Sequence, residues 1–227
     1  GDWANDPHKD WQAERMAVYA AQVVNIDRGV GRIIDAIRST GREENTLVLF
    51  LSDNGAAPDG GLAPSTSGFG FGPQAPNDQW RRDGVAIRPG SGPNTMPGQP
   101  DTFAAYGPAW ATVSNTPLRS TKLTAYEGGI RTPLVASWPV GIRDAGRLCH
   151  EVGHVIDILP TCLHLACADY PSEFNGRSPQ PMEGQSLVPL FGGQGREGHA
   201  LLAWSVPQNR AIRSDRWKLV GAAGRPW

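Results

Sequence analysis

The side chains best suited to metal chemistry stand directly after a continuous apolar run. Asp53 offers a carboxylate and Asn54 an amide oxygen, and Ca²⁺ and Mg²⁺ prefer such hard oxygen donors. The same Asp-Asn-Gly sequence is also favoured in turns. The residues alone therefore leave two interpretations open, a pair of cation ligands or a turn that leaves a strand.

A second group of charged side chains lies in the stretch 114–133. It contains Arg119, Lys122, Glu127 and Arg131. Two or more cations beside a divalent metal would suit an anionic substrate such as a sulfate or phosphate ester. The alternative is a solvated loop whose charges pair among themselves, and the pattern leaves both interpretations open.

Histidine and cysteine give no comparable pattern. His154 falls on a predicted helix and is expected to be structural, whereas His199 falls in a turn and is expected to be solvated. The three cysteines are too few, and odd in number, for a disulfide scaffold. They also form no C-x-x-C pair that would favour zinc. We expect Cys162 and Cys167 to be buried apolar thiols.

Two segments predict the elements that must position the first group. Apolar residues recur at helical spacing over residues 11–40, which predicts one long amphipathic helix. Residues 46–51 form a continuous apolar run, typical of a strand buried on both faces of a parallel sheet. Ligands bind beyond the carboxyl ends of strands in open α/β sheets. Asp53 and Asn54 are therefore expected at the ligand-binding edge.

The later segments complete the predicted fold. Residues 132–138 indicate a second buried strand, and residues 154–168 indicate a helix. Short strand patterns within residues 200–220 favour a small antiparallel sheet at the C-terminal end. The fold class predicted from these elements is α/β, with a mostly parallel sheet flanked by helices and a small C-terminal antiparallel sheet.

The same elements predict two domains of unequal size. Residues 1–169 are expected to form part of the α/β domain, interrupted by a Gly- and Pro-rich loop insert over residues 56–113. Residues 170–227 are expected to form a small C-terminal α+β subdomain with short strands and turn-rich connections.

Composition excludes several classes of partner. The 227 residues carry 21 Lys and Arg against 22 Asp and Glu, a net charge of −1, which gives no electrostatic footprint for nucleic acid. No run of about 20 apolar residues predicts a transmembrane segment. With 39% hydrophobic residues, the chain has enough apolar material to form a core.

Six motifs, in a consistent order, resemble the type I sulfatases, an arylsulfatase-like family of the alkaline phosphatase superfamily. They lie at residues 19–32, 52–56, 106–111, 116–133, 155–161 and 209–220. The resemblance implies an alkaline-phosphatase-like fold of which this chain is the C-terminal half. It also implies that the full-length parent hydrolyses small-molecule or carbohydrate sulfate esters. It is compatible with a periplasmic or secreted protein, although the residues themselves indicate no compartment.

The resemblance further implies roles for individual residues. Asp53 and Asn54 match ligands of the active-site divalent cation, which is usually Ca²⁺. Lys122 matches the catalytic lysine that binds the sulfate group of the substrate. In this family the nucleophile is a hydrated formylglycine, made from Cys or Ser.

Three elements of the family do not occur in these 227 residues, two of them its first metal-binding Asp pair and its catalytic Lys-x-His pair. The formylglycine signature, C-x-P-S-R or S-x-P-S-R, is absent, and none of the three cysteines has Pro and Arg at the required offsets. We therefore expect the formylglycine in a missing N-terminal part, and no turnover by the chain alone. Two alternatives stay open: a phosphoesterase or phosphonate hydrolase of the same superfamily, and a non-catalytic fragment or binding module.

Overall fold

The computed structural model describes most of the chain as two compact units. The described residues are 2–58, 81, 83–89, 92–103, 105–206 and 209–222. Unit 1 comprises residues 1–34 and 54–131, and unit 2 comprises residues 35–53 and 132–227. The division into an α/β domain and a C-terminal subdomain stays a prediction.

The long helix is confirmed as α1, Lys9–Ser39. Only its first turns are packed, where Trp11 and Arg15 are buried. Further along the apolar stripe, Ile26 and Ile33 are 55% and 61% exposed. Apolar spacing therefore predicts the helix correctly, while part of its apolar face is exposed.

Unit 1 packs the start of α1 against a second helix, α2, Gly107–Asn115. The Arg15 guanidinium donates from Nε to the Ala105 carbonyl oxygen at 2.7 Å. The rings of Tyr19 and Tyr106 stack with centroids 4.6 Å apart. These contacts fix the residues that lead into α2, whose last residue belongs to the candidate site described below.

Helix α2 overlaps the stretch in which composition predicts a loop insert. Pro108 stands at its start, where a missing N–H breaks no helical hydrogen bond. Residues 59–80 of that stretch lie outside the described residues, so the loop expectation is untested there. A one-turn helix, α3, spans Glu127–Ile130.

Both predicted strands of the α/β domain are present, but their pairing differs from the prediction. Strand β1 spans Val48–Leu51. Two-residue strands β2, Arg88–Pro89, and β3, Thr102–Phe103, pair parallel. Strand β4 spans Leu134–Ser137 and pairs antiparallel with β1.

A mostly parallel sheet is therefore not confirmed among the described residues. The reason is that a continuous apolar run indicates burial on two faces and carries no information about the direction of the neighbouring strand. Even that burial is incomplete, because Val135 on β4 is 57% exposed. No residue of these two strands is fully buried, so the strand pair is only partly covered.

Helix α4, Ile158–Ala166, buries a different face from the predicted one. Pro160 and Thr161 are its buried residues, whereas Cys162 and Cys167 are exposed. The expectation of buried thiols is therefore wrong. The apolar pattern marks a face that could be buried, and in this chain nothing described covers it.

The small C-terminal antiparallel sheet is confirmed in unit 2. After a one-turn helix, α5, at Val188–Phe191, strands β5, Leu202–Val206, β6, Asn209–Ser214, and β7, Trp217–Ala222, form a sheet in that order. Both pairings are antiparallel. Among the described helices, none is both long and apolar enough to cross a membrane.

Candidate active site

The predicted cation ligands follow β1 directly. Asp53 is exposed, and no hydrogen bond or ion pair with another described residue engages its carboxylate. Asn54 is half-buried, and its Nδ2 donates to the Gly55 carbonyl oxygen at 2.9 Å. The Asn54 amide group thus uses its donor side within the protein, which leaves its oxygen available.

Hydrogen bonds within unit 1 tie the segment after these ligands to the loop that carries the predicted lysine. The Lys122 backbone N–H donates to the Ala56 carbonyl oxygen at 3.0 Å. The Gly55 N–H donates to the Gly129 carbonyl oxygen at 2.9 Å. We call this arrangement, residues 54–56 with loop 119–129, the lysine-loop junction.

Asn115, the last residue of α2, links both sides of the junction through its side chain. Its Oδ1 accepts from the Ala56 N–H at 3.0 Å. Its Nδ2 donates to the carbonyl oxygens of Ser120 at 3.0 Å and Gly128 at 2.8 Å. The sequence pattern did not single out Asn115, because these partners are brought together only by the folded loop.

Close backbone packing makes glycine necessary at the junction. A Cβ atom on Gly55 would overlap the Gly128 carbonyl oxygen, and one on Gly128 would overlap the Ser120 carbonyl oxygen. Ser120 and Leu123 themselves adopt left-handed φ angles of 71° and 69°, a conformation that costs a non-glycine residue about 1–2 kcal/mol. The junction hydrogen bonds hold this loop in its shape.

The charged side chains of the loop do not all share one environment. Lys122 is half-buried, and its backbone is fixed as described above. The Arg119 guanidinium lies over the Tyr126 ring, 4.3 Å from the ring centroid. The structure therefore joins the backbone of Lys122 to the segment after Asn54, and it places Arg119 in a cation–π contact.

A second concentration of charge, in unit 2, surrounds the fully buried carboxylate of Asp157. Its Oδ1 accepts from the Gln185 N–H at 2.9 Å and lies 2.7 Å from His199 Nε2. Its Oδ2 accepts from the His154 N–H at 3.0 Å and from the Arg196 guanidinium at 2.8 Å. We call these five residues the buried carboxylate centre.

The expectation that His199 is solvated is wrong. Its side chain is only 6% exposed, and that of Arg196 is 4% exposed. Because an ionised carboxylate only accepts hydrogen bonds, His199 Nε2 must carry the proton that it shares with Asp157. These partners are separated from Asp157 by about 40 residues of sequence, so no local pattern could reveal them.

The hydrogen bonds of this centre determine the charge state of Asp157. Burial alone would raise the pKa of the Asp157 carboxyl group. The hydrogen bonds from Gln185, Arg196 and His154 outweigh burial and hold that pKa below its ordinary value. Asp157 is therefore ionised at neutral pH, with its oxygens occupied by protein donors.

Neither region contains a complete metal site of acidic, histidine and cysteine ligands. Within the described ranges, no three His, Cys, Asp or Glu side chains form a group that could hold a metal ion. Asp157 is occupied by four donors, whereas the oxygens of Asp53 and Asn54 are available. Of these two described regions, the one after β1 has side-chain oxygens that are not occupied by protein donors.

Comparisons with known proteins give matches of one kind. A sequence model of the family described as Sulfatase matches residues 3–168. An uncharacterized sulfatase of Schizosaccharomyces pombe is 32% identical over 216 residues, which cover 93% of this chain and 36% of that protein. An arylsulfatase of Klebsiella aerogenes is 33% identical over 183 residues, which cover 78% of this chain and 35% of that protein.

A third relative comes from an animal. The N-acetylgalactosamine-6-sulfatase of Canis lupus familiaris is 30% identical over 177 residues, which cover 78% of this chain and 24% of that protein. The chain therefore spans between about a quarter and a third of the length of these relatives.

Proposed function

This chain belongs to the sulfatase family, and from that premise we propose that Asp53, Asn54 and Lys122 are its contribution to a sulfate ester hydrolase site. The family has an alkaline-phosphatase-like α/β fold and acts on sulfate esters with a divalent cation and a formylglycine. The observation that carries the proposal is the backbone hydrogen bond from Lys122 to Ala56, which fixes the lysine loop beside the segment that begins at Asn54.

The residues at the end of β1 fit a divalent cation, and we assign Ca²⁺ as the ion. The carboxylate of Asp53 and the amide oxygen of Asn54 are hard, available donors in adjacent positions of the chain. Ca²⁺ takes six to eight oxygen ligands, as is general for this ion. Further donors must therefore come from outside this pair.

The chemistry assigned to these residues is electrostatic. When bound, the cation would polarise the non-bridging oxygens of a sulfate ester. The Lys122 ammonium group would bind the same sulfate group and stabilise negative charge that develops on it during cleavage. The hydrogen bonds of the junction keep the lysine loop in place, so that little reorganisation is needed when substrate binds.

The chain supplies no nucleophile of the family's type in this proposal. A covalent nucleophile divides ester cleavage into two easier steps, and a cation with a lysine cannot replace that route. We therefore assign substrate positioning to this chain and the formylglycine to a part of the parent protein outside it. The substrate class is a small-molecule or carbohydrate sulfate ester.

Calorimetric titration with Ca²⁺, beside an assay with a chromogenic aryl sulfate, tests the proposal on the purified chain. We expect weak Ca²⁺ binding, because the site has only part of its oxygen ligands, and no turnover. Asp53→Ala should abolish the binding, whereas Asp169→Ala, which changes another exposed carboxylate, should leave it unchanged.

Two results would contradict the proposal. Ca²⁺ binding that survives Asp53→Ala would place the cation elsewhere. Turnover above background that disappears in Lys122→Ala, but persists in Lys9→Ala at an exposed lysine, would show that the nucleophile belongs to this chain.

A further inference from the structure

His154 occupies a capping position at which a titratable side chain is unusual. The ring Nδ1 of His154 accepts from the backbone N–H of Ile156 at 3.3 Å, and the backbone N–H of His154 donates to Asp157 Oδ2. Together these bonds form a capping box on the short 3₁₀ turn Val155–Asp157 that leads into α4. Ser, Thr, Asp and Asn are the residues preferred at such positions. In this geometry the imidazole must be neutral, because a protonated Nδ1 cannot accept a hydrogen bond.

Protonated His154 finds no free acceptor position on Asp157. Each oxygen of Asp157 already receives two hydrogen bonds, which fill its usual acceptor positions. A proton on His154 would therefore remove the cap without gaining a new hydrogen bond from Asp157.

The groups around His154 add both signs of charge. Asp157 faces it from its own turn, and His199 faces it from the segment before β5, with ring centroids 6.5 Å apart. The same carboxylate holds the Arg196 guanidinium. From β5 itself, the Trp204 ring lies 5.9 Å from the His154 ring. The negative charge of Asp157 is thus shared among several donors, and His199 disfavours a positive charge on His154.

We propose that His154, while its imidazole is neutral, holds the start of α4 against the segment leading into the C-terminal sheet, and that protonation of the ring releases this contact. The Arg196 guanidinium extends this connection, because it also donates to the carbonyl oxygens of Val152 and Gln185. Neutral His154 keeps the hydrogen bond from the Ile156 N–H to Nδ1. Protonation removes the Ile156 cap and weakens the packing of Trp204 on β5.

The direction of the pH effect follows from the environment of the ring. Burial, the largest cause, lowers the pKa of His154, and His199 lowers it further against the opposing effect of Asp157. The unfolded chain therefore binds a proton at higher pH than the folded chain. The contribution of neutral His154 to the free energy of unfolding is complete above about pH 6.5, the ordinary histidine pKa. This contribution falls as the pH drops from there toward the pKa of His154 in the folded chain.

Protonation of Asp157 also lowers stability, but in a lower pH range than protonation of His154. The pKa of Asp157 is held below its ordinary value, so its contribution to stability is lost only as the pH falls through that lower folded value. Loss of stability that begins near pH 6.5 therefore reports on histidine, and loss below about pH 4 reports on carboxylates.

The test follows histidine C2 proton shifts and amide exchange in β5 by NMR, on the complete 227-residue chain, between pH 7.5 and 5. His154→Asn keeps a capping acceptor and removes the titration. His164→Asn makes the same change at an exposed histidine on α4. We expect the opening constant of β5 to rise by up to about tenfold per pH unit below pH 6.5 in the wild type, as binding of one proton allows. His164→Asn should retain this rise, and His154→Asn should flatten it.

The proposal is overturned if His154→Asn retains the wild-type pH dependence. It is also overturned if His154 in the wild type titrates at or above the pKa measured for the exposed His8. The second readout needs no variant, so it decides the matter even if His154→Asn does not fold.

Discussion

The lysine-loop junction of unit 1 and the buried carboxylate centre of unit 2 both bring distant segments together, but by different means. The junction uses backbone groups, one asparagine side chain and closely packed glycines. The centre uses charged side chains that are almost completely removed from solvent. The side chains of Asp53 and Asn54, which have available oxygens, lie in sequence within or next to the junction. The oxygens of Asp157 in the centre are occupied by protein donors.

This difference distinguishes a candidate ligand site, beside the junction, from the buried carboxylate centre, whose role is structural. Asp157 is the most completely buried carboxylate described in this chain, yet its four donors leave no position for a ligand. Asp53 is exposed, and its carboxylate has no partner among the described residues. Burial and ionic contacts alone would select Asp157, whose oxygens are occupied, rather than Asp53, the proposed cation ligand.

Asp157→Ala should have the largest effect on stability. It leaves the Arg196 guanidinium buried without its carboxylate, and breaking one side of a buried ion pair costs about 3–5 kcal/mol. Urea unfolding followed by circular dichroism measures the change in the free energy of unfolding. Asp169→Ala, at an exposed position, is the control and should change little. A wild-type unfolding midpoint for Asp157→Ala would show that the centre does not stabilise unit 2.

Gly55→Ala should disrupt the junction by a smaller amount. The added Cβ atom would overlap the Gly128 carbonyl oxygen, and such overpacking costs about 1–3 kcal/mol. Gly31→Ala is the matched control, because a Cβ atom at Gly31 meets nothing within 4 Å. The unfolding free energy and the Ca²⁺ affinity should both fall in Gly55→Ala alone. Equal behaviour of the two variants would contradict the close packing of the junction.

Asn115→Ala should weaken the same junction without a steric clash. It removes three hydrogen bonds, and a half-buried backbone group left without its partner costs about 1–3 kcal/mol. Amide exchange of Ala56, whose N–H donates to Asn115 Oδ1, should become faster. Unchanged exchange at Ala56 would mean that Asn115 does not hold the two segments together.

Arg38→Ala should have the smallest effect. Arg38 forms ion pairs with Asp35 and Glu43, but these groups lie at the surface, where ion pairs are screened by solvent and salt. We expect an unfolding midpoint close to that of the wild type. A decrease as large as that for Asp157→Ala would remove the distinction between buried and exposed charge on which the comparison depends.

Local patterns predicted individual elements better than their surroundings. The spacing of apolar residues predicted α1, and a succession of short strand patterns predicted the C-terminal sheet, because each signal lies within one element. The antiparallel pairing of β1 with β4 depends on residues far apart in sequence. The exposure of Cys162 likewise depends on which neighbouring element covers α4.

The candidate site shows the same limit. Motifs identified Asp53, Asn54 and Lys122, because the resemblance rests on short continuous segments. Asn115 contributes through bonds to three separate backbone positions, and only the folded loop reveals them. The roles of the three motif residues stay predictions until they are measured.

The most direct test of one shared site measures whether Ca²⁺ and a sulfate ester bind cooperatively. Calorimetric titration of the chain with Ca²⁺, with and without the unreactive ester methyl sulfate, gives the coupling between the two ligands. We predict that methyl sulfate raises the Ca²⁺ affinity of the wild type, and that Lys122→Met removes this increase while Ca²⁺ binding itself remains. No coupling in the wild type, or the same coupling in Lys122→Met, would contradict the proposal that Asn54 and the lysine loop contribute to one site.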